Sequence, residues 1–282
     1  MKEKLMFNTV LLLLVVVLCG AVKKPKDIPD IVNFGKRFVP VDKNLYADKY
    51  EATVKDFQLF LKEKREAGVD CSLLIYDSTL WRKTLGYNEP MVDYYFNYPA
   101  YRHFPINCVS YHAANEFCKW LTEKYENSPQ KKYKKVIFRL PTETEFIKAA
   151  ASIYDSKKVI YPWGHISLMD YKKGKPLCNY QIIYEENLDF NDSTQRFEYH
   201  DYLNRLHDRA DYTDQVNSYD PNPYGLYNIV GNVSEIIQEE GIAMGGNWLS
   251  TGYNVRITSK KRYENGGAVW AGFRVYMEII EF

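Results

Sequence analysis

The chain has five cysteines but no Cys-x-x-Cys pair, and five histidines but no His-Glu-x-x-His arrangement. A dithiol redox motif, a zinc knuckle and a zinc hydrolase are therefore not indicated. Neither a glycine-rich phosphate loop nor a Gly-x-Ser-x-Gly nucleophile elbow occurs, and no internal repeat is present. An excess of charge is missing too. The 37 Lys and Arg against 36 Asp and Glu leave a formal charge of +1, which gives no field for nucleic acid. The short basic stretch Lys131–Lys135 reads as a solvated loop between two elements.

Aromatic residues are abundant. They make up 16% of the 282 residues, with 25 tyrosines, a residue suited to half-buried positions because the ring packs while the hydroxyl stays hydrated. The N-terminus reads as a targeting segment. Lys2 and Lys4 precede the apolar run Val10–Leu18, which is too short to span a bilayer unaided. Two processing routes follow. Cleavage after Ala21 gives a signal peptide over 1–21 and a soluble exported protein. Cleavage before Cys19, with lipid on its sulfur, gives a lipoprotein signal over 1–18. Residues 22–30 read as a tether and 31–282 as one domain. Four cysteines then remain, Cys71, Cys108, Cys118 and Cys178. An exported compartment permits disulfides among them, buried free thiols are the alternative, and sequence ranks none of the three full pairings.

Within the domain, Phe38–Val41 and Leu45–Tyr50 are strand-like. Thr53 with Asp56 marks a helix start, with Val54, Phe57, Phe60 and Leu61 on one face and Gly68 ending the pattern. A second helix begins at Ser110 and buries Ala114, Phe117, Cys118, Leu121 and Tyr125. A third starts at the capping box Thr142–Glu145. Residues 154–215 show little periodicity and read as long loops.

Several motifs follow one another along the chain. Lys49-Tyr-Glu-Ala-Thr53 comes first, then Phe104-Pro-Ile-Asn-Cys-Val-Ser110 with Ala113–Leu121. Arg139-Leu-Pro-Thr-Glu-Thr-Glu-Phe146 and Tyr161-Pro-Trp-Gly164 come next. The last are Asn222-Pro-Tyr-Gly-Leu-Tyr-Asn-Ile-Val-Gly-Asn-Val-Ser-Glu235, Met244-Gly-Gly-Asn-Trp-Leu-Ser250 and Ala271-Gly-Phe-Arg-Val275. In this order they resemble the formylglycine-generating enzyme, or sulfatase-modifying factor, family. The resemblance implies an α+β, C-type-lectin-like fold, with few helices around small mixed or antiparallel sheets and long ordered loops. A narrower likeness, in Asp77-Ser-Thr-Leu-Trp81, Asn88-Glu-Pro-Met91 and Tyr95-Phe-Asn-Tyr-Pro-Ala-Tyr101, is to gliding-motility and type IX secretion lipoproteins that lack the oxidase chemistry.

The family's oxidases bind copper through two cysteines, whose places here hold Ser250 and Val255. A hydroxyl is a poor ligand for soft Cu(I) and an isopropyl group is none, so the resemblance implies the frame without copper and without catalytic residues. It also implies calcium. One site would use the Asn228 side chain, the carbonyls of Gly231 and Val233, and Glu235, all hard oxygen donors; an Asn-capped turn with a surface Glu235 is the alternative. A second would use Asn179, the Tyr180 carbonyl, Asp208 and the Ala210 carbonyl, with Asp211 as a rival for Asp208 and plain solvated acids as the alternative. Histidines are scattered, and His112, near a helix start, reads as a packing residue.

Two functions remain open. One is a non-catalytic binding or scaffold protein of the cell envelope, a component of a type IX secretion or gliding-motility apparatus. It would sit on the periplasmic side of the outer membrane through Cys19, or be soluble in the periplasm, with envelope proteins as partners. The other is a metal-dependent oxidase or maturation enzyme. Leu249–Trp270 is the expected partner surface, with Tyr253, Tyr263 and Trp270 either exposed there or part of the core.

Overall fold

Phe38–Pro40 (β1) and Leu45–Asp48 (β2) form an antiparallel pair, with Val39 opposite Ala47. The partner on the other side of β2 comes from the far end of the chain: Tyr276–Glu281 (β12) pairs with β2 and, across its other edge, with Lys135–Arg139 (β3). The sheet order is thus β1-β2-β12-β3. In β3, Val136 and Phe138 point to the core while Lys135 and Ile137 face out, the period-two pattern of a half-buried strand. The computed structural model describes residues 28–84, 88–129, 131–182, 188–191, 193–199, 212–264 and 266–282.

Three helices begin where the sequence places them. Val54–Glu66 (α2) follows the short Phe34–Arg37 (α1), and its capping box is reciprocal. The Asp56 amide donates to Thr53 Oγ1 at 3.1 Å, and the Thr53 amide donates to Asp56 Oδ2 at 3.2 Å. This satisfies two amides that the first turn leaves free. Tyr111–Glu126 (α4) is capped by Ser110, and Glu143–Ala151 (α5) by the Thr142–Glu145 box. Between α2 and α4 lies a helix that the periodicity reading misses, Glu89–Asn97 (α3), with Pro90 in its first turn. It is short, and its buried Met91, Val92, Tyr95 and Phe96 make too brief a stripe to stand out. Tyr95 fixes it by donating to the Pro105 carbonyl at 2.7 Å.

The larger core packs α2 against α4. Phe57 and Phe117 stack with centroids 5.8 Å apart, and Phe273 meets both edge-on. Each ring buried contributes about 1.5–3 kcal/mol of transfer free energy. A second cluster joins Phe146 and the Ala149–Ala151 run of α5 to Ile229, Val230, Met244, Val255 and Tyr276.

The loop-rich region carries small ladders, Met169–Asp170 (β4) with Lys175–Pro176 (β5), and Leu188–Asn191 (β6) with Arg196–Tyr199 (β7). Beyond it a second sheet has the order β10-β9-β8-β11, from Ser234–Ile236 (β8), Ile242–Met244 (β9), Lys260–Arg262 (β10) and Ala271–Gly272 (β11). The β8–β11 pair is parallel and the others antiparallel, so the sheet is mixed and the fold is α+β as expected.

Packing is present at the first described residues. Ile28 is buried, and the Pro29 carbonyl accepts a hydrogen bond from Arg37 Nη1 at 2.9 Å. Lys135 belongs to β3 rather than to a loop. Among the described residues no helix is long and apolar enough to cross a membrane. Cys19 and the segment before residue 28 lie outside them.

Candidate functional site

The site is built on the chain from Asn222 to Val275. Asn222 anchors its entry. Its Nδ2 donates to the Ala149 carbonyl at the end of α5, while its Oδ1 accepts from the amides of Tyr224 and Leu226. Next, Asn228, Gly231 and Asn232 all take positive φ, and the backbone curls tightly. At Gly231 a Cβ would stand 2.5 Å from the Asn179 carbonyl oxygen, so only glycine admits that approach. The Asn232 amide donates to the same carbonyl at 2.8 Å. Asn179 is therefore seated directly on the Asn228–Glu235 loop, and its Nδ2 reaches Asn232 Oδ1 at 3.3 Å. Asp208, Ala210 and Asp211 lie outside the described residues.

Two buried carboxylates share this region with one guanidinium. Arg274 donates from Nε and Nη2 to Glu235 Oε1 at 2.9 and 2.6 Å, and also holds the carbonyls of Asp48 and Tyr227. Glu51 accepts from Asn228 Nδ2, from Asn232 Nδ2 and from the Val233 amide. Burial pushes the Glu51 carboxyl up to about 8, against the pull of Arg274 and with the repulsion of Glu235 added. Burial likewise raises Glu235, with Arg274 opposing. Glu51 and Arg274 each sit inside a sequence motif, and nothing in their spacing reveals that they share one buried region across more than two hundred residues.

This arrangement leaves oxygens over. Glu235 Oε2 and Asn228 Oδ1 are both buried and have no hydrogen-bond partner. A buried polar oxygen without a partner is costly, and an amide oxygen, carbonyls and a carboxylate are the donor set that hard cations take. The residues present fit a calcium ion. Among the described residues no group of three His, Cys, Asp or Glu forms a metal cluster, so such a site would rest on amide and carbonyl oxygens around one carboxylate.

The Gly-Gly segment comes next. Gly245 and Gly246 both take positive φ, and a Cβ on Gly246 would lie 2.2 Å from the Asn254 carbonyl oxygen. The 250–255 loop is laid against bare backbone. Val255 is fully buried in the second cluster. Ser250 Oγ accepts from the Asn247 amide at 3.1 Å, and the Ser250 carbonyl accepts from the Gln181 amide at 2.9 Å. Ser250 also lines a cavity of about 260 Å³ with Gly246, Thr251, Asn254 and Lys261.

The profile of the family described as "sulfatase-modifying factor enzyme 1-like domain" matches residues 14–279. The chain belongs to that family. No curated protein matches it significantly. Among solved structures it is similar to PvdO from Pseudomonas aeruginosa, with a TM-score of 0.50 and 16% identity over 83% of this chain and 80% of that one. It is also similar to CarF, with a TM-score of 0.52 and 18% identity over 83% and 86%. At these identities the likeness establishes the sulfatase-modifying-factor fold.

Within that fold, Cys71, Cys108, Cys118 and Cys178 are free and buried, and burial pushes the thiols of Cys108, Cys118 and Cys178 up. None lies near the Ser250–Val255 loop in sequence. The aromatics of the expected partner surface divide. Tyr253 is 70% exposed and stacks under Arg256, whereas Tyr263 is core and Trp270 half-buried, because Tyr263 sits just past edge strand β10 and its amide bonds back to Gly241. His112 lies at the start of α4 and is exposed, so it does not pack as the sequence reading expects.

Proposed function

We propose that this sulfatase-modifying-factor domain is a non-catalytic binding or scaffold protein of the cell envelope. The observation that carries the reading is the pair Ser250 and Val255. One is a hydroxyl already accepting a backbone hydrogen bond, and the other an alkyl group sealed in the core. Neither supplies a thiolate, and a soft Cu(I) ion finds no ligand in either. The charged start and apolar run before residue 19 support export, with lipid on Cys19 as the anchor. The resemblance around Asp77–Trp81 and Asn88–Tyr101 supports a place in a type IX secretion or gliding-motility assembly, on the periplasmic side of the outer membrane.

Calcium belongs to this reading as a structural ion. Asn228 Oδ1 and Glu235 Oε2, with the carbonyls of Gly231 and Val233, would hold it, and its charge would balance a region where two carboxylates face one arginine. The Asn179 position is the start of a second, similar set.

The test is incubation of the intact chain with a Cys-x-Pro-x-Arg peptide, with and without Cu(I), and mass spectrometry for the aldehyde. No aldehyde is expected in either condition. Turnover above the no-protein control would replace the scaffold by an oxidase.

A further inference from the structure

We propose that the cavity beside Ser250 is an oxyanion-binding pocket. It lies between the Ser250–Asn254 loop and edge strand β10 and measures about 260 Å³. That is just below the ~300–1,000 Å³ of sites that enclose a drug-sized ligand, so it suits a single functional group.

Its lining is rich in donors and contains no carboxylate. Three hydroxyl-bearing residues line it, and each hydroxyl oxygen already accepts an N–H. Ser250 Oγ takes the Asn247 amide at 3.1 Å, Thr251 Oγ1 takes Asn254 Nδ2 at 3.3 Å, and Ser259 Oγ takes the Arg256 amide at 3.2 Å. A hydroxyl has one proton to give, and none of these three has an acceptor for it among the described residues. Two lysines complete the lining. Lys260 is paired with Glu143 of α5. Lys261 has no carboxylate partner among the described residues; its nitrogen lies 4.0 Å from the ring centroid of Trp270.

Hydroxyl protons and an uncompensated ammonium call for an acceptor-only group. Carboxylate, phosphate and sulfate are such groups, and their hydrogen bonds to charged donors are about twice as strong as neutral ones. The exposed basic run Lys260–Arg262 on the sheet edge adds attraction at longer range. A ligand of this class needs no thiolate, so the pocket has a use in a loop without the copper cysteines. The inference stands apart from the scaffold reading, because an enzyme could carry the same pocket.

The test is calorimetry on the intact chain in detergent at low salt. The probes are inorganic phosphate, a short peptide with one aspartate, and its asparagine counterpart. Saturable phosphate binding is expected. It should weaken by about tenfold or more in Lys261→Met, the loss of one charge-assisted contact, and less in Lys260→Met, whose ammonium is already engaged. Binding of the aspartate peptide alongside phosphate identifies a polypeptide carboxylate as the source; binding of phosphate alone identifies a free anion. No saturable binding of either probe overturns the proposal. So does binding undiminished in Lys261→Met with a wild-type melting curve. Should that variant not fold, Thr251→Val decides by the same criterion.

Discussion

Arg274 grips one oxygen of Glu235 twice, from Nε at 2.9 Å and Nη2 at 2.6 Å, and leaves the other oxygen buried and unpartnered. Were the pair a plain internal salt bridge, the second oxygen would need a donor of its own. The calcium ion proposed for this loop would account for the asymmetry.

Calcium is therefore expected to raise the melting temperature, and chelation to lower it. An ion that binds only the folded state adds about 2.7 kcal/mol at a hundred times its Kd. Glu235→Gln should weaken the Arg274 contact and abolish most of the difference between calcium and chelator. That difference is the readout, since the variant is less stable in either condition. A wild-type melting curve indifferent to chelation would remove the ion from this loop.

Gly246→Ala is expected to destabilise the domain by more than about 2 kcal/mol in urea titration. The residue sits at φ +71° and its new Cβ would meet backbone, the Asn254 carbonyl oxygen at 2.2 Å and the Val255 Cα at 2.7 Å. Backbone has no rotamer to move aside. Gly266→Ala, with open space around it, should change stability little.

Much of this fold was legible because local signals and tertiary need agree. Thr53 with Asp56, Ser110, and Thr142 with Glu145 cap helices whose apolar faces the sequence already displays. The motif series that placed the chain in its family also carries the turns at Asn222 and Gly245. What stayed hidden is what only packing decides. Glu51 comes to Asn228 and Asn232 across the whole domain, and Tyr263 turns inward although its neighbours Lys260, Lys261 and Arg262 face out. No periodicity encodes either.

Acid should weaken the domain partly through Glu145. Burial would raise its carboxyl, but hydrogen bonds from Arg139 and from the Thr142 amide outweigh that and hold it below the ordinary glutamate value of 4.5. The folded state thus binds this proton less readily than the unfolded chain. Its stabilising contribution is complete above 4.5 and is lost as pH falls through the folded value. Glu145→Gln is expected to be less stable at neutral pH and to lose less on acidification from about pH 5 to 3. Parallel slopes for the two proteins would contradict this.

Metabolic labelling with radioactive palmitate should mark the wild-type chain and leave Cys19→Ala unlabelled. Two or more acyl chains would anchor it firmly, at about 0.8 kcal/mol for each buried methylene. Unlabelled wild-type protein released in soluble form would point to cleavage after Ala21.

Strand β12 lies between β2 and β3, although it follows both of them by far in the sequence. Until residues 276–281 have left the ribosome, β2 and β3 have no strand between them and Arg274 is only just available to gather Glu235 and the Asp48 carbonyl. Synthesis and folding are thereby separated in time. Closure of the sheet then waits on contacts distant in sequence and slow to form.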